Sequence, residues 1–544
     1  MNLIWTGRWA LLAAALLLAA CGGGGGGGGG GVLPTAASAS APESNTGPAP
    51  ASVTLSGVAS FESVPNINGG LVYSAVTPKP IRGATVEVVG PSATTLATAT
   101  TNASGAYSFN LPLNTAVFIR VKAQLQQAGS GPAWDVTVRD NTQGDAIYAM
   151  ESPTFSTGAA ATLTRDIKAT SGWDGSRYGA LRIAGPFALL DTVYTTQAKV
   201  LAVAPATVFP VLRIFWSVNN VPAVGNPDLG QIGSTIFTNA SDGRAIYVLG
   251  KEDVDTDEFD SSVVAHEWGH YYQSAFSRDD TPGGSHSITD RLDRRVAFSE
   301  GWGNAWSGIA LGRSNYTDSV GASQAQGANI DLRNGGGAGA GWFSEASIES
   351  IFWKLNDQVG FKPIHDAMTG PFKSGVPVTS IHAFSAAFGA AAPAGAAALT
   401  NLLVAENISA AANDPYGSAE TNDGGIVGVA GTLPLYRPAL VGGAINTACV
   451  SNQDGGDNRL GSYTYLRFNV AAAGSYRVAI VSAAAARPAP DPDFMLYQGG
   501  RIASGTGLGT SETGMVQLAA GDAVLAITDF NDSSAATCFD VTIQ

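Results

Sequence analysis

Only three of the 544 residues are cysteine, five are histidine and 13% carry a charge. Three cysteines are too few for a cysteine-rich metal module or a disulfide-dense scaffold. Basic residues number 29 against 43 acids, a net charge of −14 with no basic cluster, which argues against nucleic acid as a partner. A membrane-spanning run is missing too: the apolar stretch from Trp9 to Ala20 is too short to cross a bilayer. What is abundant is glycine, with 68 residues, together with alanine, in a chain long enough for three or four domains.

Scarce histidines make their placement informative. Val263 to Tyr272 reads V-V-A-H-E-W-G-H-Y-Y, with His266 and His270 four positions apart and Glu267 directly after the first. On a helix that spacing puts both imidazoles on one face, one turn apart, where they can share a metal ion. Glu267 then stands beside that face as the general base of an H-E-x-x-H zinc hydrolase. The bland alternative is a buried helix whose histidines bond within the core. Its context favours the metal: Asp257, Asp260, Ser261 and Ser262 offer helix-start chemistry, and the strand-like Ala245 to Leu249 precedes it.

A catalytic zinc takes three protein ligands and leaves one position for water. The third ligand is assigned to Glu300, in Ala297-Phe-Ser-Glu-Gly-Trp-Gly-Asn304, which continues as a second helix to Leu311. Gly269, Gly301 and Gly303 weaken isolated helices by about 1 kcal/mol each, so they predict close helix–helix approach. His286 reads as an exposed loop residue. Asp290 to Arg295 reads as a solvated salt-bridge face. A metzincin continuation would need Gly and His where Gln273 and Phe276 stand.

H-E-W-G-H followed by S-E-G-W-G-N resembles the Glu-ligand zinc peptidases (gluzincins), especially the fungalysin and thermolysin group. The resemblance implies His266, His270 and Glu300 as Zn²⁺ ligands and Glu267 as base. In that family an Asp four residues after the third ligand orients the first histidine. Here the position is Asn304, which can accept from an imidazole N–H but brings no charge. The resemblance is specific over Phe259 to Leu311. Candidate donors to a transition-state oxyanion are His382, Tyr416 and Tyr316. No Gly-x-Met-Glu-Asn motif of zinc aminopeptidases occurs, which favours an endopeptidase.

Around this centre the chain divides as follows. Residues 1–21 end in Leu18-Ala-Ala-Cys21 and resemble a bacterial lipoprotein signal, with lipid on Cys21. Gly at position 22 implies the outer membrane of the cell envelope. Residues 22–51, with ten consecutive glycines, form a flexible tether. Residues 52–125 alternate as strands and resemble the carboxypeptidase-regulatory β-sandwich. Residues 126–170 are a strand-rich extension or prosegment. Residues 171–440 hold the zinc peptidase domain, with a helix over Ile183 to Val200, strands at 211–216, 235–238 and 245–249, and helices at 344–357, 378–388 and 397–407. Residues 441–544 alternate like a second sandwich and resemble the pre-peptidase C-terminal domain of secreted bacterial peptidases. Cys449 and Cys538 bracket it and, with Cys21 lipidated, are the remaining pair for a disulfide.

The expected fold is therefore multidomain, an α+β zincin catalytic domain flanked by β-sandwiches. The expected function is zinc-dependent hydrolysis of protein or peptide substrates by a monomer whose only membrane link is its N-terminal lipid. The alternative is a non-catalytic surface lipoprotein that binds glycan or protein through its sandwiches and holds a structural zinc. Ca²⁺ is considered at Asp253-Val-Asp-Thr-Asp-Glu258, which lacks the glycine of an EF-hand turn. A solvated acidic helix entry is the plainer reading of that stretch.

Overall fold

The computed structural model describes residues 52–240, 243–456, 458–482, 489–531 and 536–544. The signal-like segment, Cys21 and the tether lie outside the described residues.

Strand β1 (Ser52–Ser63) buries every second side chain, Val53, Leu55 and Phe61 among them. That is the period-2 signature of a sheet with one covered face. Strands β2 (Ala84–Val89), β3 (Thr95–Thr100), β4 (Ala106–Pro112), β5 (Ala116–Gln127) and β6 (Trp134–Asp140) follow. Helix α1 (Ala184–Leu201) comes next, then β7 (Leu212–Trp216), β8 (Ile236–Ala240) and β9 (Gly243–Val248). One large sheet runs in the order β8-β9-β7-β6-β5-β2-β3. Within it, β7 pairs parallel with both β6 and β9, while β8 closes one edge antiparallel to β9. Helix α1 packs between this sheet and the helices at 261–276 and 294–311, burying Phe187, Leu189, Leu190 and Val193.

This sheet runs through the positions where composition divides the chain, at residues 125 and 170. The strands at Leu212 and Gly243 extend the layer that begins at Ala84, because β6 bridges β5 and β7. Pairing between strands far apart in sequence leaves no local periodicity to read, so composition alone separates what the backbone joins.

Helices α2 (Ser261–Phe276), α3 (Arg294–Leu311), α4 (Glu345–Val359), α5 (Phe361–Thr369), α6 (Ile381–Ala391) and α7 (Ala396–Ala405) complete seven α-helices among the described residues. None is long and apolar enough by itself to cross a membrane. Helix α5 has no counterpart in the sequence reading. Its Pro363 sits in the first turn, where a missing N–H costs nothing.

The C-terminal region forms two sheets of five and four strands around their own core, which includes Phe468, Leu496, Phe539 and Val541. Cys449 and Cys538 are bonded to each other, directly opposite on neighbouring antiparallel strands. This sandwich is anchored to α3. The expected solvated face at Asp290 to Arg295 is instead largely buried: Asp293, Arg294 and Arg295 are 4%, 5% and 0% exposed. The Arg295 guanidinium lies 4.2 Å over the Tyr463 ring and donates to Tyr497 Oη at 2.9 Å. A planar guanidinium can stack on rings while its edges keep hydrogen bonds, so it tolerates burial that a free charge would not.

Candidate metal centre

Helix α2 is buried along both flanks, with Trp268, Tyr271 and Tyr272 no more than 1% exposed. Asp260 precedes it but does not cap it. Its carboxylate accepts from Asn66 Nδ2 at 2.6 Å and from the Ser319 backbone N–H at 3.0 Å. Helix α3 does carry a side-chain cap, from Asp293 to the Arg295 N–H. The two helices cross at their glycines. A Cβ on Gly269 would stand 3.1 Å from Gly303 Cα, and a Cβ on Gly303 would stand 2.7 Å from the His266 ring. Close approach is thus what these glycines permit.

That crossing brings three ligand atoms together. His266 Nε2 lies 3.0 Å from His270 Nε2 and 3.2 Å from Glu300 Oε2, and His270 Nε2 lies 3.3 Å from the same oxygen. Tetrahedral zinc with bonds of ~2.0–2.1 Å needs ligand–ligand edges of about 3.3 Å. Two imidazole nitrogens and one carboxylate oxygen on such a triangle could therefore hold zinc.

The electrostatics fit a cation here. Burial disfavours a charged His270, but Glu300 beside it, with Glu267 and Asp279 adding, raises the imidazole to about 10. Burial would likewise raise Glu300, yet His286 and His270 hold its carboxyl well below the usual range. Glu267 is buried, which raises its carboxyl, partly offset by His266 and His270. Its Oε2 accepts from the Phe237 backbone N–H at 2.6 Å, so the edge strand β8 holds the proposed base.

Each histidine is oriented from behind. His266 Nδ1 lies 2.8 Å from Asn304 Oδ1. The Asn304 amide nitrogen donates to Glu345 Oε1 at 2.7 Å and Glu349 Oε2 at 3.0 Å. His270 Nδ1 lies 3.1 Å from Ser299 Oγ, which lies 3.1 Å from Asp279 Oδ2. Sequence reasoning missed Glu345, Glu349 and Asp279. Only Glu345 and Glu349, four apart at the start of an amphipathic helix, left any signal, as acids on one face.

Of the three oxyanion candidates, the fold brings Tyr316 to the centre. It lies on β10 (Asn315–Val320), with its ring 6.1 Å from that of His266. Burial raises its hydroxyl well above the usual range and keeps it a donor. His382 is taken up by Glu420 at 2.9 Å, and Tyr416 stacks under Arg467 and bonds Asp522 at 3.3 Å. His286, read as an exposed loop residue, reaches in instead. Its Nε2 lies 3.4 Å from Glu300 Oε2 and 3.7 Å from Glu345 Oε2. Two buried carboxylates draw the loop inward, an attraction invisible in its local Gly-Gly-Ser composition.

No family model matches the chain, and no curated protein matches it. Solved structures similar to it include the pre-peptidase C-terminal domain of collagenase from Bacillus anthracis, at 12% identity over 20% of this chain and 94% of that one, TM-score 0.16. PliG of Aeromonas hydrophila, a periplasmic inhibitor of g-type lysozyme, shares 12% identity over 20% of this chain and 96% of its own, TM-score 0.14. A cycloisomaltooligosaccharide glucanotransferase from Paenibacillus sp. shares 7% identity over 90% of this chain and 72% of its own, TM-score 0.12. Likenesses of this size leave function to the residues of the site.

Proposed function

We propose that this chain is a zinc-dependent endopeptidase built on a zincin-type α+β domain, with His266, His270 and Glu300 as ligands. The observation that carries the reading is the near-equilateral triangle of 3.0–3.3 Å formed by their donor atoms, with the Glu267 carboxylate left free of metal duty beside it. A structural site has no use for such a carboxylate. Zinc in this position would supply a Lewis acid for the scissile carbonyl and acidify a water towards a pKa of ~7.

The chain's own residues do the rest. Glu267, its carboxyl raised by burial, takes the proton of the attacking water and delivers it to the leaving amine. Tyr316 donates its O–H to the oxyanion that develops on the carbonyl. Strand β8, paired on one side only, accepts the substrate backbone as an added strand. With lipid on Cys21, this chemistry would take place on protein or peptide substrates at the outer membrane.

The test is cleavage of casein or a peptide library by the wild type and by Glu267→Gln, with zinc content measured for both. Cleavage by the wild type and a loss of ~10²–10⁴-fold in the variant at unchanged zinc content is the expected result. If both bind zinc and neither cleaves, the binding-protein alternative takes its place. If neither binds zinc, the assignment of the ligands is wrong.

A further inference from the structure

A second group of acids converges a short distance from the zinc helix. Asp255 lies on a short strand (Asp255–Thr256), Asp257 on the turn into α2, and Asp318 on β10. One carboxylate oxygen of each lies within 4.8 Å of the others. Asp257 is 2% exposed; its Oδ2 accepts from the Thr235 hydroxyl, and its Oδ1 has no hydrogen-bond partner among the described residues. Asp255 Oδ1 and Asp318 Oδ1 are also buried without a partner. So are Thr256 Oγ1, next in sequence to both Asp255 and Asp257, and Gln324 Oε1, on the turn after β10.

Among the described residues, no basic side chain neutralises these acids. The neighbouring guanidinium, Arg182, is spent on Glu258 at 2.8 Å and on the Gly250 carbonyl. Arg313 donates to the Ser262 hydroxyl. Among the described residues, none of the three acids forms an ion pair with Lys or Arg. Burial and mutual repulsion raise Asp255 to about 8, Asp318, mainly by burial, to about 6, and Asp257 well above the usual range. Leaving two buried carboxylates and a third half-buried one together without a counter-charge is costly, and a cation bound by all three removes that cost. The donors are all oxygen and all supplied by the protein, which suits Ca²⁺ better than Zn²⁺, with its N/S preference, or Mg²⁺, which keeps several waters.

We propose that Asp255, Asp257 and Asp318 form a Ca²⁺ site that braces both walls of the zinc centre. Two paths connect it, one through hydrogen bonds and one along a strand. Asp257 holds Thr235, and two residues further the Phe237 N–H holds Glu267. Asp318 lies two residues from Tyr316 on one strand, so both side chains point to the same face. The site differs from an EF-hand reading of Asp253 to Glu258. Asp253 is engaged by the Ser323 N–H and Glu258 by Arg182, while the third acid arrives from a strand some sixty residues on.

The bracing of catalytic groups rests on the proposed peptidase reading; the binding of Ca²⁺ does not, and the test separates them. The full chain is stripped of Ca²⁺, dialysed into chelator-free buffer with its zinc restored, and titrated with CaCl₂ by calorimetry. Asp257→Asn, Asp318→Asn and Glu267→Gln are run beside the wild type. The wild type and Glu267→Gln should bind one Ca²⁺ per chain and melt at least ~2 °C higher with it. Amide exchange over residues 235–240 and 315–320 should slow. Asp257→Asn and Asp318→Asn should lose these responses, and without Ca²⁺ should melt above the wild type because repulsion is relieved. A wild type that takes up no Ca²⁺, or Asn variants that bind it as well as the wild type, overturns the site. Binding without slowed exchange in those two strands overturns the bracing. Failure of peptide cleavage alone, with Ca²⁺ binding intact, counts against the peptidase reading only.

Discussion

His266 and Asn304 are joined by a 2.8 Å contact between Nδ1 and Oδ1. The surroundings of this amide favour it over a carboxylate. Glu345 and Glu349 converge on the amide nitrogen from α4, so an aspartate there would be the third carboxylate in one buried cluster. The amide accepts from His266 and donates to both acids, which fixes its orientation towards the imidazole.

Asn304→Ala should therefore weaken zinc binding ~10–100-fold, measured by competition with a chromogenic chelator. Asn304→Asp should lose stability as well, by at least ~1–3 kcal/mol in denaturant, because two buried acceptors lose their donor. An aspartate variant as stable as the wild type would remove this explanation.

Gly303→Ala tests the helix crossing. The added methyl would stand 2.7–2.9 Å from three atoms of the His266 ring. The ring must move, so the triangle of donors opens. We expect a loss of zinc content larger than the ~1–3 kcal/mol overpacking cost in stability would explain, read by metal analysis beside denaturation. Unchanged zinc content would mean that the ring has room the geometry denies it.

His365 supplies a pH dependence away from the metal. Its Nδ1 lies 2.8 Å from the Tyr272 hydroxyl, which burial keeps protonated and so a donor. Burial lowers the His365 imidazole below its ordinary 6.5, with Asp366 opposing and Lys362 adding to the shift. A histidine lowered in the folded state binds fewer protons than in the unfolded state just below pH 6.5. Stability is thus lost as pH falls through that window. In His365→Gln, which can still accept from Tyr272, the melting temperature should fall less between pH 7 and 5.5. Parallel profiles for the two proteins would contradict this.

The disulfide closes a sequence separation of 89 residues. Its removal in Cys449→Ser/Cys538→Ser should cost the C-terminal sandwich about 4–5 kcal/mol on the loop-entropy estimate. Because Arg295 ties that sandwich to α3, the loss should appear in calorimetry as earlier melting of the C-terminal unit and a weakened transition of the rest. A single transition at the wild-type temperature would show that the bond contributes little.

The sequence by itself determined whatever lies within one element or one short span. His266, Glu267 and His270 are placed by the helical repeat alone, and the strand periodicity around Ser52 and Thr464 follows from alternation. The two cysteines of the C-terminal module were paired by elimination. The tertiary structure decided what depends on elements meeting. It brought Asp318 to Asp255 and Asp257, Glu345 and Glu349 to Asn304, and His286 back to Glu300. It placed the Tyr316 ring, rather than His382 or Tyr416, beside His266, put β8 at the sheet edge, and joined the N-terminal strands to the strands that precede α2. The reason is physical: periodicity records the contacts a residue makes with its own element and one buried face. Which elements share that face is settled by packing and by pairing of buried charge across long loops, and neither leaves a trace in local spacing.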